Sequence, residues 1–220
     1  MSETGPIAWH TRFETARAAA LAGDRPMLLE FWAGWCEPCI YMDAHVYSSP
    51  QVAAAMKRLV PVRVDLDAQG RLARTYNVDS IPTLVFTDSH GNELFRYSGL
   101  LQVSPMVELL RELPTDITRI NKLSQTIAAN KTDPEALSAM GAELRRLSLY
   151  RASNSYLGRA LATAEVKRRP DTLAAILVAM GKNHLELKEP KEASALLERC
   201  VREFPGTPAA IEAAALLRAR

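Results

Sequence analysis

Residues 27–39 have the sequence MLLEFWAGWCEPC, in which an apolar run leads directly into a pair of cysteines. The run from Met27 to Ala33 predicts a buried strand, and a helix is expected from Cys36 through Met42. A strand that leads into a helix in this way places the first sulfur at the helix N-terminus, where free N–H groups and the helix dipole favour a thiolate. We therefore expect Cys36 to be the attacking thiol and Cys39, one helical turn further in, to be the resolving thiol.

Helical and extended patterns alternate on both sides of this stretch, from Ile7 to about Leu113. In chain order the patterns predict a helix at 12–22, a strand at 27–33, helices at 36–42 and 50–58, a strand at 60–66, a helix at 71–76, a hairpin of strands at 83–87 and 93–97, and a closing helix from Ser104. This order predicts an α/β fold with a mixed central sheet flanked by helices.

Beyond Pro114 the strand signals stop and helix starts take over. Asp133 and Thr207 each precede a proline, which is the usual order of a capping residue before a proline at the first helical position; Glu189 is a weaker example. Residues 114–220 are therefore predicted to form an all-helical domain that follows the α/β domain of residues 1–113.

Small and apolar residues recur at helical spacing in two sets within this helical domain, one around Gly141 and one around Gly181. The second set resembles a tetratricopeptide repeat, whose small residues allow two helices to pack closely. The first set matches less well, because the two glycines are further apart than the repeat period of about 34 residues; an insertion near residues 166–170 would reconcile them. A plain helical bundle without repeat ancestry is the alternative.

Composition and charge argue against several classes of protein. The chain of 220 residues is 48% hydrophobic, and 27 basic against 25 acidic residues leave a formal net charge of +2, which indicates neither nucleic acid nor an anionic membrane as a partner. No run reaches the roughly 18–20 apolar residues of a membrane span. The start MSETGP lacks the basic region and apolar core of a signal peptide, so the cytoplasm is predicted, or the periplasm if an export signal has been removed.

The three cysteines are too few for a disulfide framework in a chain of this size, which indicates a chemical role for Cys36 and Cys39. Half of a zinc site is the alternative, and zinc needs about four ligands. The other candidate ligands are scattered along the chain without paired spacing, at Cys200, His10, His45, His90 and His184. We therefore favour a redox pair and predict no metal and no cofactor. Cys200 is expected to be a buried, inert thiol, and His45 a surface residue.

Two separate motifs resemble the thioredoxin superfamily. The sequence EFWAGWCEPC at residues 30–39 resembles the thioredoxin signature, and Ile81-Pro82-Thr83 resembles its cis-proline loop. Residues 42–52 and the entry Pro26-Met27 are more similar to the C-terminal domain of the transmembrane thiol:disulfide interchange reductases. The resemblance covers residues 7–113 and implies a thioredoxin fold that exchanges disulfides with protein substrates and is reset by an upstream electron donor.

The resemblance also implies a substrate platform around the cysteines. Pro82 would follow a cis peptide bond and leave the backbone of Ile81 free to pair with a substrate strand beside Cys36. Trp35 would cover the active-site loop, and Gly99 would allow a substrate backbone to approach closely. The residue types of Trp35 and Gly99 also fit a role in packing alone.

Thioredoxins keep a buried acid on the strand before the active site and a basic residue on the adjacent strand, and Glu30 and Arg63 stand at the matching positions. A buried Glu30 needs a partner, which Arg63 would supply, and its carboxylate could take the proton of Cys39 during resolution. Glutamate is longer than the usual aspartate, and arginine does not give up its charge as lysine can. A structural ion pair is therefore the alternative to a catalytic one.

Glu37 and Pro38 separate the cysteines where small thioredoxins usually carry Gly-Pro. Proline keeps the helix start rigid, and an exposed Glu37 works modestly against a thiolate at Cys36, so we expect a reducing rather than a strongly oxidising pair. The sequence thus predicts a protein disulfide reductase whose helical repeats dock a protein client. The rival hypothesis is a redox-linked holdase or binding module, whose main activity lies in the helical repeats.

Overall fold

A four-stranded mixed sheet forms the centre of the first half of the chain in the computed structural model, which describes residues 7–219. Its strands are β1 (Met27–Trp32), β2 (Val60–Asp65), β3 (Thr83–Thr87) and β4 (Glu93–Ser98), in the spatial order β2-β1-β3-β4. Strand β1 runs parallel to β2 and antiparallel to β3, and β3 pairs antiparallel with β4. The predicted mixed sheet is confirmed, and β1, the strand that precedes the cysteines, has an inner position.

The helices of this half differ from the predicted ones mainly after β2. They are α1 (Phe13–Gly23), α2 (Glu37–Met42), the π-helix Asp43–Tyr47, α3 (Pro50–Met56), α4 (Leu66–Thr75) and α5 (Val103–Glu112). Helix α4 begins at Leu66 rather than at Arg71, because the Asp65 carboxylate accepts a hydrogen bond from the Asp67 N–H (2.9 Å) and caps the helix. A kink at Gln69 joins this first turn to the rest of α4.

The two faces of β1 differ in chemistry. Met27, Leu29 and Phe31 belong to an apolar core that includes alternate valines of β2 and small residues of α1. Because successive side chains of a strand point to opposite faces, Glu30 points away from this core, although it is fully buried. The sheet therefore buries a carboxylate on the face opposite to this apolar core.

The second half of the chain is helical from Thr118 to Arg218, apart from the short connections. Its elements are α6 (Thr118–Ala129), α7 (Pro134–Arg146), α8 (Tyr150–Ala162), α9 (Ala164–Lys167), α10 (Pro170–Glu186), α11 (Pro190–Glu203) and α12 (Pro208–Arg218). Asp133 and Thr207 cap α7 and α12, since their side chains accept hydrogen bonds from backbone N–H groups at 2.8 Å and 3.1 Å. Within residues 7–219 no helix is long and apolar enough to cross a membrane.

The two glycines that mark the sets of small residues lie where pairs of helices pack closely. A Cβ atom on Gly141 would lie 2.5 Å from Cγ of Leu157, and one on Gly181 would lie 2.8 Å from Cδ2 of Leu197. Glycine at these positions therefore lets α7 approach α8 and α10 approach α11. Helix α9 occupies the place of the predicted insertion, and the tetratricopeptide ancestry stays a prediction.

The division of the chain into two compact units falls between Asn121 and Lys122, further along than the boundary after Leu113 that the sequence predicts. Asn121 belongs to the first unit because its side chain accepts a hydrogen bond from the Ser89 N–H (3.1 Å) and donates to the Ser89 hydroxyl (2.8 Å) and the Asp24 carboxylate. The start of α6 thus contributes to the α/β unit through side-chain hydrogen bonds, which the local sequence pattern does not predict.

Candidate active site

Cys36 and Cys39 form a disulfide at the start of α2, with an S–S distance of 2.08 Å. Cys36 is the N-cap of the helix, and its sulfur accepts a hydrogen bond from the Cys39 N–H at 3.2 Å. Cys36 is 4% exposed, whereas Cys39 is fully buried. The sulfur of Cys36 therefore lies at the end of the helix where N–H groups stabilise negative charge, and it is the more accessible of the two.

Apolar side chains and one loop enclose the pair. Trp32, Leu66 and Ile81 pack against the small cluster that Ala33 forms with the two cysteines. The structure therefore brings Ile81, predicted from the sequence to bind substrate, into contact with the redox centre, while leaving it only partly buried.

Pro82 and Gly99 lie on adjacent backbone segments beside this cluster. The Ile81–Pro82 peptide bond is cis, and the Pro82 carbonyl accepts a hydrogen bond from the Gly99 N–H at 2.8 Å. Gly99 has φ of +116°, a conformation that favours glycine, and within residues 7–219 no heavy atom beyond its own and those of its two chain neighbours lies within 4 Å of where its Cβ would be. A second polypeptide backbone can therefore approach at Gly99 without a side chain in the way.

Trp35, which precedes Cys36, is exposed to solvent, and its side chain is hydrogen-bonded to Asp67. Its side chain is 65% exposed, and its indole Nε1 donates to the two Asp67 carboxylate oxygens at 3.1 Å and 3.3 Å. Asp67 was not among the residues predicted from the sequence. A signal was present, because β1 and β2 are parallel and the residues that follow both strands meet at the same edge of the sheet.

Glu30 and Arg63 form an ion pair on adjacent strands. They are direct register partners of β1 and β2, and Arg63 Nε donates to Glu30 Oε2 at 2.9 Å. Burial raises the pKa of the Glu30 carboxyl above its usual value, and the Arg63 guanidinium opposes this rise. Cys39 carries no thiol proton in the disulfide of this structure, and no hydrogen bond joins it to Glu30 in the part of the chain that the structure describes.

Arg63 is enclosed by groups that the sequence did not connect with it. Its Nη2 donates to the Asp43 carboxylate at 2.7 Å. Its guanidinium carbon lies 4.8 Å, 5.1 Å and 5.8 Å from the ring centroids of Trp32, Trp9 and Tyr47. Two carboxylates and three aromatic faces therefore stabilise a charged arginine at this position.

The remaining residues singled out from the sequence lie outside this site. His45 is exposed and its ring packs on Tyr41, with centroids 4.6 Å apart. Cys200 is a free, fully buried thiol of the helical unit, and burial raises its pKa. No group of three or more potential metal ligands occurs among residues 7–219.

Comparison with known proteins gives matches to the first half of the chain. Residues 10–112 match the family model of thioredoxin. Thioredoxin C-3 of Corynebacterium nephridii is 38% identical over 87 residues, which are 40% of this chain and 57% of that protein. The thiol:disulfide interchange protein DsbD of Cronobacter sakazakii is 33% identical over 82 residues, or 36% of this chain and 14% of that protein. The chain thus spans little more than half of the first relative and a small part of the second.

Among solved structures, a thioredoxin from Thermus thermophilus is 28% identical. The match covers 49% of this chain and 86% of that protein, with a TM-score of 0.45.

Proposed function

From residues 10–112, which match the family model of thioredoxin, we infer that this chain is a thiol–disulfide oxidoreductase that reduces disulfides of protein substrates. The observation that carries the proposal is the Cys36–Cys39 disulfide, capped onto a helix N-terminus and placed beside Ile81. This arrangement provides one accessible sulfur that is stabilised as a thiolate and one buried sulfur within bonding distance of it.

The reaction consists of two exchanges in which the enzyme dithiol loses two electrons and the substrate disulfide gains them. In the first, the Cys36 thiolate attacks one sulfur of the substrate disulfide, and the other sulfur leaves as a thiolate that takes a proton from water. In the second, Cys39 gives up its proton and attacks the Cys36 sulfur. The Cys36–substrate bond breaks, the substrate sulfur leaves as a thiolate that takes a proton from water, and the disulfide of the structure forms. An external dithiol donor then reduces the pair by the reverse exchanges.

Glu30 is the group that we assign to receive the Cys39 proton, with Arg63 holding the carboxylate in place. Support comes from the complete burial of Glu30 and from a pKa that burial raises above its usual value, which makes the carboxylate a stronger base. The substrate is held by the backbone of Ile81, by the open approach at Gly99, and by the exposed face of Trp35.

The helical unit docks a protein client in this proposal. Support comes from a groove within that unit whose lining is largely small and apolar. It includes Ala175, Val178, Ala179, Pro208 and Ala209, with Arg145, Lys182 and Glu212 as charged members. A groove of this chemistry accommodates an unfolded or extended segment. The same feature favours the rival function, in which the helical unit holds clients independently of the cysteines.

Reduction of insulin by dithiothreitol, compared between wild type, Cys36→Ser and Cys39→Ser, tests the chemistry. Released insulin chains should be followed by chromatography, because a holdase would suppress the turbidity used in the simpler assay. We expect wild type to accelerate release, Cys36→Ser to fall to the rate of buffer, and Cys39→Ser to accumulate a mixed disulfide on non-reducing gels. A wild-type rate equal to that of buffer would rule out the reductase.

The holdase hypothesis is tested separately with a client protein that has no cysteines and aggregates on heating. If the double variant Cys36→Ser, Cys39→Ser suppresses this aggregation as well as wild type does, holding clients is a function of the chain in its own right. If neither protein suppresses it, the holdase is excluded.

A further inference from the structure

At the Glu30–Arg63 pair, one buried acceptor atom and one buried donor group have no hydrogen-bond partner among residues 7–219. One is Glu30 Oε1, the carboxylate oxygen that Arg63 does not contact. The other is the hydroxyl of Tyr47, a residue that is 2% exposed. A buried donor and a buried acceptor left unpaired both cost free energy, whereas a hydrogen bond between them removes both costs.

The position of Tyr47 is set by its neighbours. The ring packs edge-on against Trp9, with centroids 5.1 Å apart and planes at 81°, and faces the Arg63 guanidinium at 5.8 Å. Glu30 contacts the same guanidinium through its other oxygen at 2.9 Å. Tyr47 and Glu30 therefore contact the same guanidinium, and the packing of the ring restricts the movement of the phenol.

Tyr47 also belongs to the segment that carries the resolving cysteine. Helix α2, which contains Cys39, continues without interruption into the π-helix Asp43–Tyr47. Both end residues of the π-helix contact Arg63, Asp43 through its carboxylate and Tyr47 through its ring. Short π-helical turns inside α-helices are often found at functional sites. The backbone that holds Cys39 is thus joined to the groups around Glu30.

The groups that face Glu30 leave Tyr47 as the suitable donor. Arg63 already binds one oxygen, and Asp43 is a carboxylate that cannot donate when ionised. The register partner of Glu30 on β3 is Leu84, which has no polar side chain. Among residues 7–219 the indole N–H of Trp32 is also buried without a partner. We favour the Tyr47 hydroxyl as the donor because the charge of Glu30 helps to raise the pKa of Tyr47, which indicates that the two groups interact.

We propose that Tyr47 is a positioning residue of the resolving step, whose hydroxyl donates a hydrogen bond to Glu30 Oε1 and holds the carboxylate ready to receive the proton of Cys39. The inference rests on the proposed reductase function. Burial, and then the charge of Glu30, raise the pKa of Tyr47 well above its usual value. The phenol therefore keeps its proton at neutral pH and can donate it.

The direct test is titration of the Glu30 carboxyl in the oxidised full-length chain, by NMR of protein labelled with ¹³C at the glutamate side-chain carboxyl. The Glu30 signal is identified by its loss in Glu30→Gln. In Tyr47→Phe we expect the pKa of Glu30 to rise by about one pH unit, because a hydrogen bond to a charged group stabilises the ionised form. An unchanged Glu30 titration in a folded Tyr47→Phe protein overturns the proposal.

The matched control is Tyr76→Phe, which removes another buried hydroxyl of the same unit, one that donates to the Gly91 carbonyl at 2.7 Å. We expect it to lower the melting temperature without moving the Glu30 titration. Tyr47→Phe should also lower the melting temperature if its hydroxyl binds Glu30. A higher melting temperature would show that the hydroxyl has no partner, and would contradict the proposal.

The catalytic readout is the pH profile of insulin reduction. We expect the acidic limb of the profile to move to higher pH in Tyr47→Phe, and the same substitution to have no further effect in the Glu30→Gln background. A shift that persists in that background would show that Tyr47 does not act through Glu30. Failure of wild type to reduce insulin would end the reductase proposal, whereas the NMR titration would still report on the hydrogen bond.

Discussion

Glu30 and Arg63 are paired across the parallel strands β1 and β2, with Arg63 Nε 2.9 Å from Glu30 Oε2. The side chain of Glu30 is 0% exposed and that of Arg63 is 17% exposed. The carboxylate thus depends on one cation for charge compensation in a buried layer of the sheet. Removal of that cation leaves a buried charge, which is more costly than loss of both partners.

Arg63→Met should lower the free energy of unfolding of the first unit by about 3 kcal/mol at pH 7, because it leaves Glu30 buried without a counter-ion. Urea unfolding followed by tryptophan fluorescence measures this unit alone, since the three tryptophans are at positions 9, 32 and 35. The double variant Glu30→Gln, Arg63→Met should recover at least half of the loss. A single variant as stable as wild type would contradict this role of Arg63.

Glu30 should make the wild type less stable relative to Glu30→Gln as the pH rises above about 4.5, the usual value of a glutamate pKa. Because burial raises the pKa of Glu30 in the folded state, the native protein holds this proton more tightly than the unfolded chain. Stability from this group is therefore greatest at low pH and is lost as the pH rises through the folded pKa. Urea unfolding of both proteins from pH 4 to pH 8 measures the difference, and parallel curves would refute it.

Asp67→Asn should weaken substrate binding, because it loosens the hydrogen bond that orients the exposed Trp35 indole. An exposed hydrogen bond to a charged group contributes about 1 kcal/mol, so KM for insulin should rise about fivefold while kcat changes little. Steady-state kinetics measure both constants. In a Trp35→Phe background, which lacks the indole N–H, Asp67→Asn should have no further effect; an equal effect there would exclude this explanation.

Gly141→Ala and Gly158→Ala should change the stability of the helical unit in opposite directions. A Cβ on Gly141 would lie 2.5 Å from Leu157 Cγ, and such overpacking costs about 1–3 kcal/mol. Apart from neighbouring residues of its own helix, no described residue comes within 4 Å of the corresponding position on Gly158, in the middle of α8, so alanine should stabilise that helix by up to about 1 kcal/mol. Thermal unfolding followed by circular dichroism at 222 nm compares them, and a stabilised Gly141→Ala would refute the close packing of α7 on α8.

Much of the redox centre could be predicted from the sequence, because its parts are local. The strand before Cys36, the helix after it and the cap at its N-terminus involve residues within a few positions of one another. The pairing of Glu30 with Arg63 was also predictable, since both stand at matching positions of the thioredoxin pattern. Asp43 and Tyr47 were not predicted because nothing in their local sequence distinguishes them from ordinary helix residues. Asp67 could have been found only from the pairing of two parallel strands, since its position at the end of β2 is significant only beside the end of β1.

Trp9 shows why the rest of the site needed the fold. It precedes α1 in a segment without a regular pattern, and a β-bridge between His10 and Val62 brings that segment alongside β2. The packing of Trp9 on Arg63 follows from this bridge. Similarly, α4 begins at Leu66 because a side chain caps it, in a stretch too polar to read as a helix.

By itself the sequence determined the order of strands and helices, the helical second half and the position of the cysteine pair. These features depend on alternation, helical spacing and capping, which are interactions between neighbours along the chain. Only the tertiary structure decided that Arg63 is enclosed by Asp43, Trp9, Trp32 and Tyr47, and that the Glu30 oxygen that Arg63 does not contact is buried. The physical reason is that the sheet and the π-helix bring together residues that are far apart in sequence, and their contacts are made only when the whole unit is packed.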